Sequence, residues 1–220
     1  LGNELDTKCG YCNKTHGFFS KEDKLSHCFN DSKIDYYYFD SDDLISPTFL
    51  EGLYRPIDDG ENVDFVQGGN TNFEGGRPTT INHSFQNSVG TEIKDVLNGM
   101  VGLTFSKLFS LENVRRGSDG LPIRFDEKMS ICEDMAFTYN YLRSVKRWAF
   151  VPETGYYYRR DNTTSALHIL KDYQTSFINY SRLMDEYDSM LLYFGLSYRD
   201  IPAQSRHKAS VLFSLLSKLY

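Results

Sequence analysis

The pattern of apolar and polar positions divides the chain into short strands and amphipathic helices. Ile34-Asp35-Tyr36-Tyr37-Tyr38-Phe39 is dominated by β-branched and aromatic residues and breaks abruptly into Asp40-Ser41-Asp42-Asp43. Such side chains favour a pleated, buried setting, and a short apolar run fits a strand covered on both faces. Unpaired carboxylates are too costly to desolvate. The pattern therefore predicts a buried strand over 34–39 that delivers Asp40, Asp42 and Asp43 where it ends.

Residues 1–33 are polar, poorly periodic and read as loop and short helix. Ser46-Pro47 pairs an N-cap with proline at the first helical position. Phe49, Leu50, Leu53 and Tyr54 then give a helical face, ended by Pro56 and the Asp58-Asp59-Gly60 turn. Val63–Val66 reads as a strand. Gly68–Asn87 is rich in Gly, Asn and Thr and lacks a period, so it is expected to be an irregular stretch. Such a stretch is either a lid or binding loop or an exposed variable loop. Thr91-Glu92 opens a short helix, Gly102–Phe105 leads into Lys107-Leu108-Phe109, and a Gly-rich turn spans Arg115–Gly120.

Further on, Ser130 with Glu133 makes a capping-box pattern, and Ile131, Met135, Tyr139 and Leu142 repeat at helical spacing. Trp148–Pro152 reads as a short strand, followed by Gly155-Tyr156-Tyr157-Tyr158-Arg159-Arg160 and a polar loop over Asp161–Ser165. From about Tyr173 a helix runs with Phe177, Tyr180, Leu183, Tyr187, Leu191 and Phe194 on one face, and Gly195 stops it. Pro202 opens a last helix carrying Val211, Leu212, Leu215, Leu216 and Leu219.

Composition narrows the class. At 220 residues and 40% hydrophobic content the chain can bury a full core, as one domain or a domain with an appendage. A net charge of −6 argues against a nucleic-acid partner, which needs a basic patch. No apolar run approaches the length of a membrane span, and no signal peptide opens the chain. Because it begins at Leu1, the chain is expected to be a processed, truncated or partial product. Cys9-x-x-Cys12 with His16 and His27-Cys28 is a weak zinc-knuckle pattern. Reduced cytosolic thiols are the simpler reading, and five Asn-x-Ser/Thr triplets are expected by chance. The 16 Tyr and 16 Phe supply sugar-stacking platforms or ordinary packing.

Three groups carry candidate chemistry. Asp40, Asp42 and Asp43 repel one another unless they share a cation, and Mg²⁺ takes one or two carboxylates plus substrate phosphates; a solvated acidic turn is the alternative. Asp134 falls in the first turn of a helix, where the macrodipole favours the ionised form that a general base needs. Alternatively, Glu133 and Asp134 simply stabilise the cap. Arg159 and Arg160 could bind a phosphate through bidentate hydrogen bonds, or be surface charges on an edge strand.

Taken in order, the Asp40-Ser41-Asp42-Asp43 strand end, Phe125-Asp126-Glu127, Glu133-Asp134 on a helix, and Tyr156–Arg160 before a Ser/Thr loop resemble glycosyltransferase family 2. The resemblance covers roughly residues 34–168 and implies an α/β fold of the GT-A type, a Rossmann-like mixed sheet flanked by helices. It implies that residues 1–168 are the catalytic domain and 169–220 a helical extension packed on it. Asp40 and Asp42 match the DXD motif, which holds the nucleotide ribose and a Mn²⁺ or Mg²⁺; Asp42 is the implied metal ligand and Asp43 a less certain neighbour. Asp134 matches the general base of an inverting transfer. Glu133 is implied as a cap or acceptor contact, and Arg159 and Arg160 as part of the loop closing over the diphosphate.

The implied donor is a UDP- or GDP-sugar and the implied acceptor a glycan or lipid-linked molecule, in bacterial polysaccharide or cell-surface glycan synthesis. The implied location is cytoplasmic, with peripheral contact at the inner membrane face left open. The family usually begins with a Val-Ser-Ile-Ile-Pro type strand and a later Asp-Asp-Gly-Ser turn, which build the base pocket. Only 39 residues precede Asp40, and neither pattern occurs. The chain is thus expected to be a fragment, an incomplete sequence or a degenerate relative. The competing reading is a non-catalytic glycan- or protein-binding module on the same scaffold.

Overall fold

The computed structural model describes residues 35–38, 40, 42–99, 102–161, 173–202, 205, 206, 208, 209 and 213. Two mixed sheets organise them. The larger contains β1 (Asp35–Tyr36), β3 (Phe65–Gln67), β6 (Ser88–Gly90), β7 (Lys107–Ser110) and β8 (Trp148–Phe150), in the order β1-β7-β3-β8-β6. Within it β3 and β8 are parallel and the other pairings antiparallel. The smaller contains β2 (Leu44–Ile45), β4 (Asn70–Glu74), β5 (Arg77–His83) and β9 (Tyr156–Arg159), in the order β2-β9-β4-β5. Here β4 and β9 are the parallel pair.

Helices cover both faces of the larger sheet, and strand alternation decides which residues face which layer. Val66, Leu108 and Ala149 face α1 (Phe49–Asp58), packing in one cluster with Phe49 and Leu53. Phe65, Phe109, Trp148 and Phe150 face the other way, toward α2 (Ile93–Gly99), α4 (Glu133–Leu142) and α5 (Tyr173–Phe194). There they meet Val96, Leu97, Phe137, Tyr141, Leu183, Tyr187, Met190 and Leu191. The short α3 (Leu111–Arg116) follows β7 directly. The α/β class expected from the sequence is what the chain adopts.

Docking of α4 fixes one side of the site. Fully buried Tyr141 accepts from the Ser110 N–H at 2.7 Å and donates to the Asp64 carbonyl. Its ring sits 4.9 Å from Phe109 and Phe137 lies 5.6 Å from the same ring, both edge-on. Asp64 in turn receives the Lys146 and Arg147 N–H groups at 2.8 and 3.1 Å, closing the turn into β8.

Several expected boundaries shift. The strand foreseen over 34–39 is, among the described residues, two residues long and pairs on one side only, with β7. Thr48 rather than Ser46 is the N-cap of α1; Pro47 falls in the preceding turn, and Ser46 accepts the Phe49 N–H through its carbonyl at 3.1 Å. Pro56 lies inside that helix, which continues to Asp58. The stretch expected to be irregular, 68–87, instead forms the antiparallel β4–β5 pair. Gly75 and Gly76, at φ +58° and +78°, make its two-residue turn. Positive φ at both central positions is the type I′ requirement that glycine meets without strain.

The capping box at Ser130 does not form. The N-cap of α4 is Cys132, in a left-handed conformation and without a side-chain bond. Ser130 is tied to α5: its N–H donates to Asn179 Oδ1 at 3.0 Å, and its hydroxyl accepts from Asn179 Nδ2 at 3.2 Å. Gly195 does end α5, at φ +65°. The zinc pattern of Cys9, Cys12, His16, His27 and Cys28 lies outside the described residues. So do the 168/169 boundary and, in the last helix, Val211, Leu212, Leu215, Leu216 and Leu219.

Candidate active site

The acids after β1 and the end of β9 are built as one unit. Asp43 is 4% exposed, and both of its carboxylate oxygens are used. One accepts the Tyr156 hydroxyl at 2.5 Å and the other the Arg159 N–H at 2.7 Å. The Arg159 side chain donates from Nε to the Asp42 carbonyl at 2.8 Å, and its guanidinium lies 5.7 Å over the Phe73 ring. Beneath them Phe105 stacks on Tyr156 at 4.5 Å and on Tyr158 at 5.3 Å. The turn is thus welded to β9 by three hydrogen bonds from two residues. Burial raises the Asp43 carboxyl to about 6; the two hydrogen bonds pull against this, and the charges of Asp40 and Asp42 reinforce it.

Of the acids proposed from the sequence, Asp40 is exposed and Asp42 half-buried, while Asp43 spends its carboxylate inside the protein. Arg159 is brought onto this turn. Arg160 is not: it is exposed, donates its N–H to the Phe73 carbonyl at 3.1 Å and lies 5.9 Å over Tyr158.

Asp134 lies at the second position of α4, with Glu133 at the first. Its Oδ1 accepts the Met135 N–H at 2.8 Å. The sequence argument expected the helix dipole to hold this group readily ionised. Instead, burial raises it to about 6; the Met135 N–H and Lys107 oppose that shift, while Glu133 and Asp40 add to it. Desolvation outweighs the helix terminus here. The outcome suits a base better, because a carboxylate titrating near 6 stays mostly ionised at pH 7 and accepts a proton more strongly than one near 4. Asp40 and Asp134, remote in sequence, are thus brought within electrostatic reach of each other.

Lys107, which the sequence pattern does not single out, is 1% exposed, and burial lowers its ammonium to about 7 while Asp134 holds it up. Across the β3–β7 ladder it faces Gln67, wholly buried, whose amide oxygen and nitrogen have no partner among the described residues. The available signal is a lysine set directly before the apolar pair Leu108-Phe109. The nearby Cys132 thiol is pushed up to about 12 by burial, with help from Asp134 and Glu133, so it is no nucleophile.

No group of three or more His, Cys, Asp or Glu side chains among the described residues is arranged to hold a metal ion. Asp40 and Asp42, set at the site edge, nevertheless fit an ion that takes its remaining oxygens from phosphate and water. Among the described residues no helix is long and apolar enough to cross a membrane.

Comparison with solved structures finds residues 1–349 of S. aureus TarS in complex with UDP-GlcNAc, at 15% identity and a TM-score of 0.49, covering 74% of this chain and 49% of that one. The same protein in complex with UDP matches at 17% identity and a TM-score of 0.43, covering 74% and 48%. The chain spans about half the length of these structures. At such values the likeness carries no argument about chemistry. No family model matches the sequence, and no curated protein matches it.

Proposed function

We propose that this chain is the catalytic part of a GT-A type, family 2-like glycosyltransferase, moving a sugar from a nucleotide-diphosphate donor to a glycan or lipid-linked acceptor. One observation carries the reading: a largely buried, proton-hungry Asp134 at a helix start is brought into range of the exposed Asp40 from a different element. Structural acids are ordinarily paired with a cation or left in water. Opposed acids of unlike burial are what a donor-holding group and a general base require.

In this reading the acceptor hydroxyl oxygen attacks the anomeric carbon in line. The bond from that carbon to the diphosphate oxygen breaks with its electron pair leaving on the diphosphate, and Asp134 takes the hydroxyl proton. The configuration inverts. Asp40 holds the donor ribose, Arg159 meets the diphosphate, and Glu133 touches the acceptor. A Mn²⁺ or Mg²⁺ held by Asp42 would neutralise the charge that gathers on the departing diphosphate. Asp43 serves by fixing the turn that presents Asp40 and Asp42.

Thermal unfolding with UDP, GDP and their sugars, with and without Mn²⁺, tests the donor site. A ligand at 100 times its dissociation constant adds about 2.7 kcal/mol of apparent stability. The expected result is a metal-dependent rise with one nucleotide that Asp42→Asn abolishes. No rise with any nucleotide in the intact gene product would favour the non-catalytic module.

A further inference from the structure

The two elements that carry Lys107 and Asp134 run in the same direction over one another. Tyr141 lies against Ser110 and Phe109, and Phe137 against Phe109, so α4 and β7 advance together. Asp134 lies one helical turn before Phe137, a rise of about 5 Å. Lys107 lies two strand residues before Phe109, about 7 Å. Side chains at alternate strand positions share a face, so Lys107 points with Phe109 toward α4. The packing therefore sets Lys107 beneath the start of α4, where Asp134 is.

Among the described residues no other acid is set against this ammonium. It forms no ion pair among the described residues, and its hydrogen bond is to the Phe105 carbonyl at 3.3 Å. Gln67 opposite is neutral, and the other ionisable group that feels Lys107 is His83, also basic. Around Asp134 the charged neighbours are Glu133, Asp40 and Lys107, and Lys107 is the one cation among them. Cys132 and Tyr139 also feel Asp134, and burial keeps both protonated. Isolated buried charge is expensive, and the row's unpaired amide at Gln67 adds to the expense. A row kept only for packing would be apolar here, as the next row, Phe109 and Phe65, is.

We infer that Lys107 is a positioning residue for the transfer reaction: fixed in the sheet behind Asp134, its ammonium is the counter-charge that keeps that carboxylate ionised and in place while Asp40 and Glu133 crowd it. This rests on the reading of Asp134 as the base. Lys107 itself touches neither donor nor acceptor.

A carboxyl-carbon NMR titration of Asp134, assigned with Asp134→Asn, tests it in the intact chain. Lys107→Met should raise the Asp134 midpoint by about one pH unit, and Lys107→Arg should return it toward the wild-type value. The acidic limb of the kcat/KM profile should move with it. An unchanged midpoint in a folded Lys107→Met protein overturns the inference. Should Lys107→Met not fold, Asp134→Asn reads the same coupling from the other side. The Lys107 Cε midpoint then falls by a similar amount, and no fall overturns the inference. Loss of the base reading looks different: Asp134→Asn would keep full turnover although the two midpoints remained coupled.

Discussion

The hydroxyl of Tyr156 donates to the buried carboxylate of Asp43 at 2.5 Å, joining the start of β9 to the acidic turn after β1. A hydrogen bond to a charged group contributes about 1.5–3 kcal/mol. Tyr156→Phe should therefore lower the stability by roughly that amount, read as the shift in a urea midpoint at unchanged slope. A midpoint within error of wild type would show that the turn is held without this bond.

Asp134 illustrates how a site can be bought with stability. Its folded midpoint near 6 lies above the ordinary 3.8, so the folded chain binds more protons than the unfolded one between about pH 4 and 6. Its contribution is fully present below that window and is lost as the pH rises through it; Asp43, also raised to about 6, acts in the same sense. At pH 7 Asp134→Asn should stabilise the protein by on the order of 2–3 kcal/mol. Unfolding free energies of the two proteins at pH 4 and pH 7 give the comparison, and the gain should shrink at pH 4.

Lys107 has the opposite dependence. Its folded midpoint near 7 lies below the ordinary 10.5, so the unfolded chain binds more protons between those values and stability rises with pH across them. Lys107→Met should flatten the Tm profile between pH 7 and 10 and raise Tm at pH 7. A wild-type profile that is already flat there would mean that the ammonium is hydrated.

Tyr141 holds the acid-bearing helix in register. Tyr141→Phe removes both bonds of the hydroxyl, while the Ser110 N–H keeps its bond to the Asp64 carbonyl at 3.1 Å. Each lost hydrogen bond costs about 0.5–1.5 kcal/mol. The variant should be destabilised by about 1–3 kcal/mol, and should lose turnover even where it remains folded, because α4 carries Asp134. Hydrogen exchange of the α4 amides checks the helix separately from activity.

The candidate acids were legible in the sequence because they sit at element ends. Aromatic residues running into Asp40, Asp42 and Asp43, and Asp134 at a helix start, announced themselves by the change from apolar to acidic. Other features were hidden for physical reasons. The β4–β5 pair is polar and mostly exposed along β5, so it has no hydrophobic period, and the adjacent Gly75-Gly76 is its one turn signal. Ser130 matched a capping box by spacing, but its hydrogen bonds go to Asn179, remote in sequence. Asp43 could not be told from its neighbours because Tyr156 reaches it only in the folded chain. Lys107 was obscured by the usual rule that lysine faces water.

The most direct test of the central claim is nucleoside diphosphate release from the sugar nucleotide that stabilises the chain, measured with a panel of glycan acceptors for wild type and Asp134→Asn. The account predicts turnover by wild type and the same donor-induced stabilisation in both proteins. It also predicts a fall in turnover for Asp134→Asn of about 10²–10⁴-fold, the worth of a positioned base. Wild-type turnover in Asp134→Asn would contradict it.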